Sequence, residues 1–453
     1  MSKEKNSMSR VSGTGTATVN VGDPDFADRP VPASARTSWV SVTMVTLGVV
    51  GAMVFLQVPG GLVLGSGVWS TVIALVYAAV ATGLIATVLA VLAARHGVSS
   101  NLLSRGAGFG VTGSRITGVF YAVNFVVLAA TEGSIMASAM HAWIDAVPLQ
   151  VWMVVLTGVN ILLNWYGMAF LEKFQKYTLP VYLVLLVTSV IVALNTSPTP
   201  ADLPSGVSWE ATVTGIGVLN GIVALQALLT ADYARFIRTP TIARCAVVGF
   251  TPQIGSFLVM GCVGMWFAAR FTEPNPGVYL VMVLGGWGAL YTLVSQIRIN
   301  LINIYSGSLS LQASVPVSTG RWTRVIWVSV TALLSLAAML ADLISHLGDV
   351  LTVLGAFMFA WVAILVADAL FARRWRLGDD APAADPGTGD PGTGDPGTLV
   401  ALFAGAAVGG FLSVGPDSWL LNATSGFVSA CVAVTVHSVS ALVSRRRRLG
   451  RGR

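Results

Sequence analysis

The chain is 453 residues long, 55% hydrophobic and only 10% charged, with mean hydropathy +0.76 and formal net charge +6. Soluble domains carry about 25% charged residues, so a water-soluble globule is excluded, and the apolar content is too high for a disordered chain. Apolar stretches recur along almost the whole length, which excludes a soluble body on a single anchor and leaves a polytopic membrane protein.

Residues 1–38 are polar and read as a disordered cytoplasmic tail. The apolar stretch after them is too long for the core of a cleaved secretory signal. A spanning helix takes about 20 apolar residues. Windows of that size give twelve spans, at 39–64, 68–94, 116–140, 149–168, 177–195, 212–231, 242–269, 278–306, 325–344, 347–371, 399–415 and 418–443. No charge separates Arg36 from Arg95, so the first two spans form a tight hairpin. Between spans ten and eleven, residues 372–398 contain Asp385-Pro-Gly-Thr-Gly, repeated through Asp390 and Asp395 to Thr398, which reads as a disordered cytoplasmic linker. It separates a ten-helix body from a two-helix appendage at 399–443 and a basic tail at 444–453, whose Arg445–Arg448 run reads as a stop-transfer anchor.

With both termini on the cytoplasmic face of a plasma (inner) membrane, every Lys and Arg except Arg270 and Arg298 falls inside or at the inner surface, as the positive-inside rule asks. The positive charge is therefore a headgroup contact and no sign of nucleic-acid binding. Cys245, Cys262 and Cys431 are widely spaced within apolar segments, and His96, His141, His346 and His437 are scattered. They suggest no disulfide framework, metal site or cofactor. Gly108-Phe-Gly110-Val-Thr-Gly113 matches a dinucleotide fingerprint by letter but lacks the strand and βαβ unit that fingerprint needs. Asn195-Thr-Ser197 and Asn422-Ala-Thr424 are sequons of a kind common by chance.

Transporters built from inverted repeats place their sites where helices break near the midplane, in corresponding positions of each half. Span one contains Gly48, Gly51, Pro59, Gly60 and Gly61, with Gln57 as its deep polar group. Span six contains Gly215, Gly217, Asn220, Gly221 and Gln226. The pair is expected to be broken, against the alternative that the glycines only allow close packing. Charges inside spans are costly and mark function. Glu132 lies deep in span three, two turns from Asn124, and Arg298 lies toward the inner half of span eight, flanked by Gln296, Asn300 and Asn303. These residues read either as a polar cavity between spans one, three, six and eight, or as a structural Glu–Arg pair or a snorkelling Glu.

Several segments, in order, resemble the cytosine permeases of nucleobase:cation symporter family 1. They are Pro30-Val-Pro-Ala-Ser-Ala-Arg36, His96-Gly-Val-Ser-Ser-Asn-Leu-Leu-Ser-Arg105 running on to Gly110-Val-Thr-Gly-Ser114, Leu229-Thr-Ala-Asp-Tyr-Ala-Arg-Phe-Ile-Arg238, Ile304-Tyr-Ser-Gly-Ser-Leu309, and Ala367-Asp-Ala-Leu-Phe-Ala-Arg-Arg374. The resemblance implies an all-α leucine-transporter-like fold. Helices 1–5 (39–195) and 6–10 (212–371) form inverted repeats, and two further helices are peripheral. It also implies alternating-access uptake of a small, nitrogen-rich solute such as a purine or pyrimidine nucleobase. The Asp232–Arg235 segment is then a helix-end or gating motif.

The departures from the family lie in the cavity. The resemblance implies an aromatic stacking pair where this chain has Leu128 and Val223, with a hydrogen-bonding position near Phe125. Glu132 adds an anionic group suited to a cationic or strongly donating substrate. The helix-eight positions of the family's sodium site read Ser295, Arg298 and Ile299, and a permanently charged guanidinium takes the space and charge of Na⁺. Sodium-independent transport is expected, proton-coupled through Glu132 or facilitated. The candidate substrate residues are Gly48, Gln57, Asn124, Leu128, Glu132, Asn220, Gly221, Val223, Gln226 and Asn300, with Arg298, Ser295 and Glu132 for coupling. The expected partners are a small-molecule solute and the lipid bilayer. The rival within transport is uptake of a non-nucleobase cationic or amide metabolite. An enzyme lacks a nucleophile–base or metal constellation in this sequence, a channel or receptor lacks a lined pore or folded effector domain, and a primary pump lacks an ATP-binding motif.

Overall fold

The structure is a computed structural model that describes residues 26, 29–165, 168–315, 322–372, 394–415 and 417–451. The repeats at Asp385 and Asp390, the basic residues Arg321, Arg373, Arg374 and Arg376, and the tail before Phe26 lie outside the described residues. Among the described residues there is no β-strand, only one isolated parallel bridge, Thr37 to Ile237.

Helix α1 (Trp39–Leu47) runs through a 3₁₀ turn (Gly48–Gly51) into α2 (Val54–His96). Helix α2 is two passes, because Gly67 has φ 75° and ψ 171°, a conformation side-chain-bearing residues avoid. Leu62 and Ala74 both lie beside Gly215, and Pro59 and Leu75 both lie beside Gly261. A straight helix would hold Pro59 and Leu75 about 24 Å apart. The expected hairpin is therefore present, and a Cβ on Gly67 would overlap the Pro204 carbonyl oxygen at its tip.

A short α3 (Ser100–Ser104) and a π turn lead into α4 (Gly110–Trp143), followed by α5 (Leu149–Trp165), α6 (Met168–Leu194) and α7 (Trp209–Ala234). Helix α8 (Ile242–Gln253) continues through a π segment into α9 (Gly261–Phe271) as one pass. Then come α10 (Pro276–Leu284), α11 (Gly286–Ser314), α12 (Thr323–Leu340), α13 (Leu347–Ala367), α14 (Pro396–Val414) and α15 (Trp419–Arg451). Eight described helices are long and apolar enough to cross a bilayer by length and composition, with shorter apolar helices between them. Helix α11 has the length but not the hydropathy, because Ser295, Gln296, Arg298, Asn300 and Asn303 lie on it.

Four features differ from the sequence reading. Span eight does not begin at 278: Gly285, with φ 57°, separates α10 from α11, so Arg298 is near the middle of its helix. Helix α7 is continuous, without the expected break. Its glycines are packing sites: a Cβ on Gly217 would lie 2.6 Å from the Ala423 carbonyl oxygen, and one on Gly221 would overlap that of Leu351. In lipid, where burying apolar surface drives little association, such close backbone approach is what holds helices together. Residues 29–38, read as part of a disordered tail, are tied to the helix ends. The Thr37 amide donates to the Phe236 carbonyl (2.7 Å), the Val31 amide to the Gly97 carbonyl (2.7 Å), and Arg36 Nη1 to the Ala94 carbonyl (2.9 Å). Partial burial holds the Arg36 guanidinium below its ordinary value. Finally, α14 starts at Pro396 rather than 399, capped by the Asp395 carboxylate on the Gly397 amide (3.0 Å).

The Gly108–Gly113 pattern makes a helix junction. Gly108 (φ 100°) and Gly110 (φ 62°) turn the chain into α4, and the Asp395 amide donates to the Gly108 carbonyl (2.8 Å).

The helices sort into two bundles. Helix α2 packs on α7, α8 and α9, whereas α4 packs on α11, α12 and α5. The first bundle joins passes one, two, six and seven, and the second joins three, four, eight and nine. This pairing of like positions is what a five-plus-five inverted repeat produces. Helices α14 and α15 pack against α13 and each other at the side. There His437 Nε2 lies 3.7 Å from Asp368 Oδ1, and Thr398 Oγ1 is 3.3 Å from His437 Nδ1.

Candidate functional site

Span one breaks at Ala52, whose ψ of 128° is extended, between the 3₁₀ turn and Met53. A helix start leaves several amides without intrahelical partners. The Phe55 amide donates to the Ala52 carbonyl (3.3 Å) and the Leu56 amide to the Met53 carbonyl (2.9 Å), which leaves Met53 and Val54. Both of these amides donate to Glu132 from α4, Met53 to Oε2 and Val54 to Oε1, each at 3.1 Å. Glu132 is fully buried. Its partners are backbone amides and not Arg298, so neither an Arg–Glu pair nor a snorkelling carboxylate describes it.

The other side of the break faces α11. Ser295 Oγ donates to the Gly51 carbonyl (3.3 Å). A Cβ on Gly51 would lie 3.6 Å from Arg298 Nη1 and 3.4 Å from Tyr182 Cζ of α6. The buried Arg298 guanidinium lies over the Tyr182 ring, 5.5 Å from its centroid, and the Tyr182 and Tyr291 ring centroids are also 5.5 Å apart. The break is thus flanked by a carboxylate at the helix start and a guanidinium at the preceding helix end, which suits the partial charges of both termini.

The remaining candidates fall in three places. Gly48 opens the 3₁₀ turn, and Gln57 is in the first turn of α2 with its Oε1 buried and unpaired. On the α4–α11 contact, Asn300 Nδ2 donates to the Ala129 carbonyl (3.2 Å), and its Oδ1 accepts from Asn303 (3.4 Å). Asn300 also lines a cavity with Gly133, Thr157, Asn160 and Ser335. Asn124 turns back on its own helix, donating to the Phe120 carbonyl (2.9 Å), and Leu128 is half-buried against the main core. The span-six candidates meet other helices or the core. Asn220 Oδ1 accepts from Tyr77 OH (2.7 Å) and its Nδ2 faces Gly426 of α15, while Gly221 packs on α13. Val223 is in the apolar core, and Gln226 is buried in α7.

At the end of α7, Asp232 accepts from the Ser100 amide (2.7 Å) and from Tyr121 OH (2.9 Å), joining α7 to α3 and α4. Arg235 Nη1 donates to the Phe26 carbonyl (3.2 Å), and Arg270 ties the end of α9 to the carbonyls of Ala193 and Thr196. Sequence reasoning missed Tyr182, Tyr291 and Tyr121. Span five contains Tyr177 and Tyr182, and no letter in it marked Tyr182 as the one that is buried. It also missed the Met53 and Val54 amides, for which no letter exists. Among the described residues, no group of three His, Cys, Asp or Glu residues is placed to hold a metal ion.

No family model matches the sequence, and no curated protein matches it. Solved structures do. The inward-facing conformation of Mhp1 superposes with a TM-score of 0.72 at 17% identity, over 93% of this chain and 94% of that one. Mhp1, a nucleobase-cation-symport-1 family transporter, in a closed conformation with bromovinylhydantoin bound, gives 0.66 at 17% identity, over 93% and 96%. The substrate-bound, outward-open state of a Na⁺-coupled sialic acid symporter gives 0.61 at 10% identity, over 93% and 92%. The chain has the leucine-transporter-like fold. At these identities the likeness establishes architecture: two inverted repeats of five helices with two peripheral helices beside them.

Proposed function

We propose that this chain is a secondary transporter of nucleobase:cation symporter family 1 type, carrying a small nitrogen-rich solute by alternating access. It lies in the plasma (inner) membrane with both termini cytoplasmic. The observation that carries this reading is the break in span one, buried mid-bundle between Glu132 and Arg298. Buried intramembrane charges are retained where they act, and broken helices at a repeat interface are where transporters of this architecture hold solute and ion. The buried amide of Gln296 and the buried Oε1 of Gln57 lie in the same two spans, eight and one, and have no protein hydrogen-bond partner, polar groups that call for a water, an ion or a solute.

Arg298 and Ser295 serve coupling. The guanidinium beside Gly51 supplies a fixed positive charge at the end of the inner half-helix, so transport is independent of Na⁺. Asp232 and Arg235 form a cytoplasmic latch. A second reading, uptake of a non-nucleobase cationic or amide metabolite, is favoured by Leu128 and Val223, aliphatic where the resemblance implies a stacking pair.

A thermal-unfolding screen of the purified protein against nucleobases, hydantoin-type amides and small organic cations tests both readings. Stabilisation by a nucleobase supports the first, and stabilisation by the other compounds alone supports the second. Uptake of the stabilising compound into proteoliposomes is expected to be abolished by Glu132→Gln. Full activity of that variant would remove Glu132 from the mechanism.

A further inference from the structure

At the span-one break the two half-helix ends carry opposite partial charges: positive at the Met53 and Val54 amides, negative at the carbonyls ending the Gly48–Gly51 turn. In transporters with broken helices the positive end commonly receives an anionic group of the solute, and the negative end a cation. In this chain the positive end is already taken. Both Glu132 oxygens are engaged, one amide each, at 3.1 Å. The accounting at this helix start is complete, because the amides of Phe55 and Leu56 are satisfied within the chain and no Met53 side-chain cap exists. No backbone amide at this helix start is left over for a solute's carboxylate.

We propose that Glu132 is a built-in anion occupying the place of a solute carboxylate, so that the solutes carried are neutral or cationic and bear no carboxylate. The statement about solutes rests on the transport reading above. The occupancy of the helix start rests on the hydrogen bonds alone. Glu132 is on this view a positioning residue that holds α4 against the outer half of span one. Deleting its side chain leaves two buried donors facing a gap of carboxylate shape, an arrangement that a free carboxylate can refill.

The test is chemical rescue of the full chain. Glu132→Ala is expected to unfold several degrees below the parent in chloride. Sodium formate at equal ionic strength is expected to recover at least half of that loss and to leave the parent unmoved. A Glu132→Ala protein that is destabilised but insensitive to formate and acetate overturns the inference. Should that variant fail to fold, Glu132→Gln decides. The carboxamide keeps the volume but presents an N–H to one of the two amides, so a clear fall in unfolding temperature is expected, and parental stability would overturn the inference. For the solute class, uracil is compared with its 6-carboxylate, orotate. Orotate is expected to stabilise Glu132→Ala in preference to the parent, and stabilisation of the parent by orotate overturns the solute claim. Formate is read without any solute, so loss of its effect removes this inference alone. A formate response with no stabilising nitrogen-rich compound removes the transport reading and the solute claim that rests on it, and leaves the occupancy of the helix start standing.

Discussion

Spans one and six occupy corresponding positions in the two repeats and have similar glycine-rich letters, yet only one of them is broken. In span one the chain leaves the helix at Ala52, and both exposed ends meet charged side chains from other helices. In span six the helix runs unbroken from Trp209 to Ala234, and its Gly217 and Gly221 meet the backbone of α15 and α13. The difference shows that a glycine cluster marks a close approach, and that what approaches decides the outcome. A neighbouring carbonyl demands a missing Cβ and leaves the helix whole. A buried carboxylate aimed at the backbone offers amides a partner in place of the helical bond and stabilises the break.

That contrast can be broken or sharpened by substitution. After the loss expected of Glu132→Gln, the largest effect is expected at Arg298. Arg298→Ala removes the charge beside Gly51 and should lower uptake by about 5–150-fold, the usual span of a coupling energy, in a proteoliposome assay. Uptake within twofold of the parent would detach the guanidinium from the break. Next comes the latch at the end of span six: Asp232→Ala leaves the Ser100 amide and Tyr121 hydroxyl without their charged acceptor. It should lower stability by about 1.5–3 kcal/mol, read as a fall in unfolding temperature in detergent. Gly221→Ala should cost about 1–3 kcal/mol by overpacking against Leu351. Gly51→Ala is expected to be the mildest in stability, within about 0.5 kcal/mol, because its Cβ would meet Tyr182 and Arg298 at ordinary contact distances. If Gly51→Ala destabilised more than Gly221→Ala, the roles assigned to the two glycine clusters would be reversed.

Much of the architecture was legible in the letters because membranes make hydropathy decisive. The uncharged run from Arg36 to Arg95 announced the hairpin, and the Pro-Gly-Asp repeat separated the last two helices. Span eight was misplaced because α10 is as apolar as a membrane pass, and only Gly285 and Gly286 marked the boundary. The charges of the site were found from cost alone, since Glu132 and Arg298 stand out in apolar spans. Their pairing was not, because each answers a backbone terminus, and the terminus exists only once the break does. The span-six candidates Asn220 and Gly221 were placed by symmetry with span one. The structure packs them against Tyr77, α13 and α15, contacts that symmetry with span one did not announce.

The most direct test is uptake by proteoliposomes holding the full chain, using the compound that stabilises it, with external Na⁺ against choline. Equal initial rates in the two buffers are expected, because Arg298 already supplies the positive charge at the break. A requirement for Na⁺ with Arg298 in place would contradict the assignment of that site.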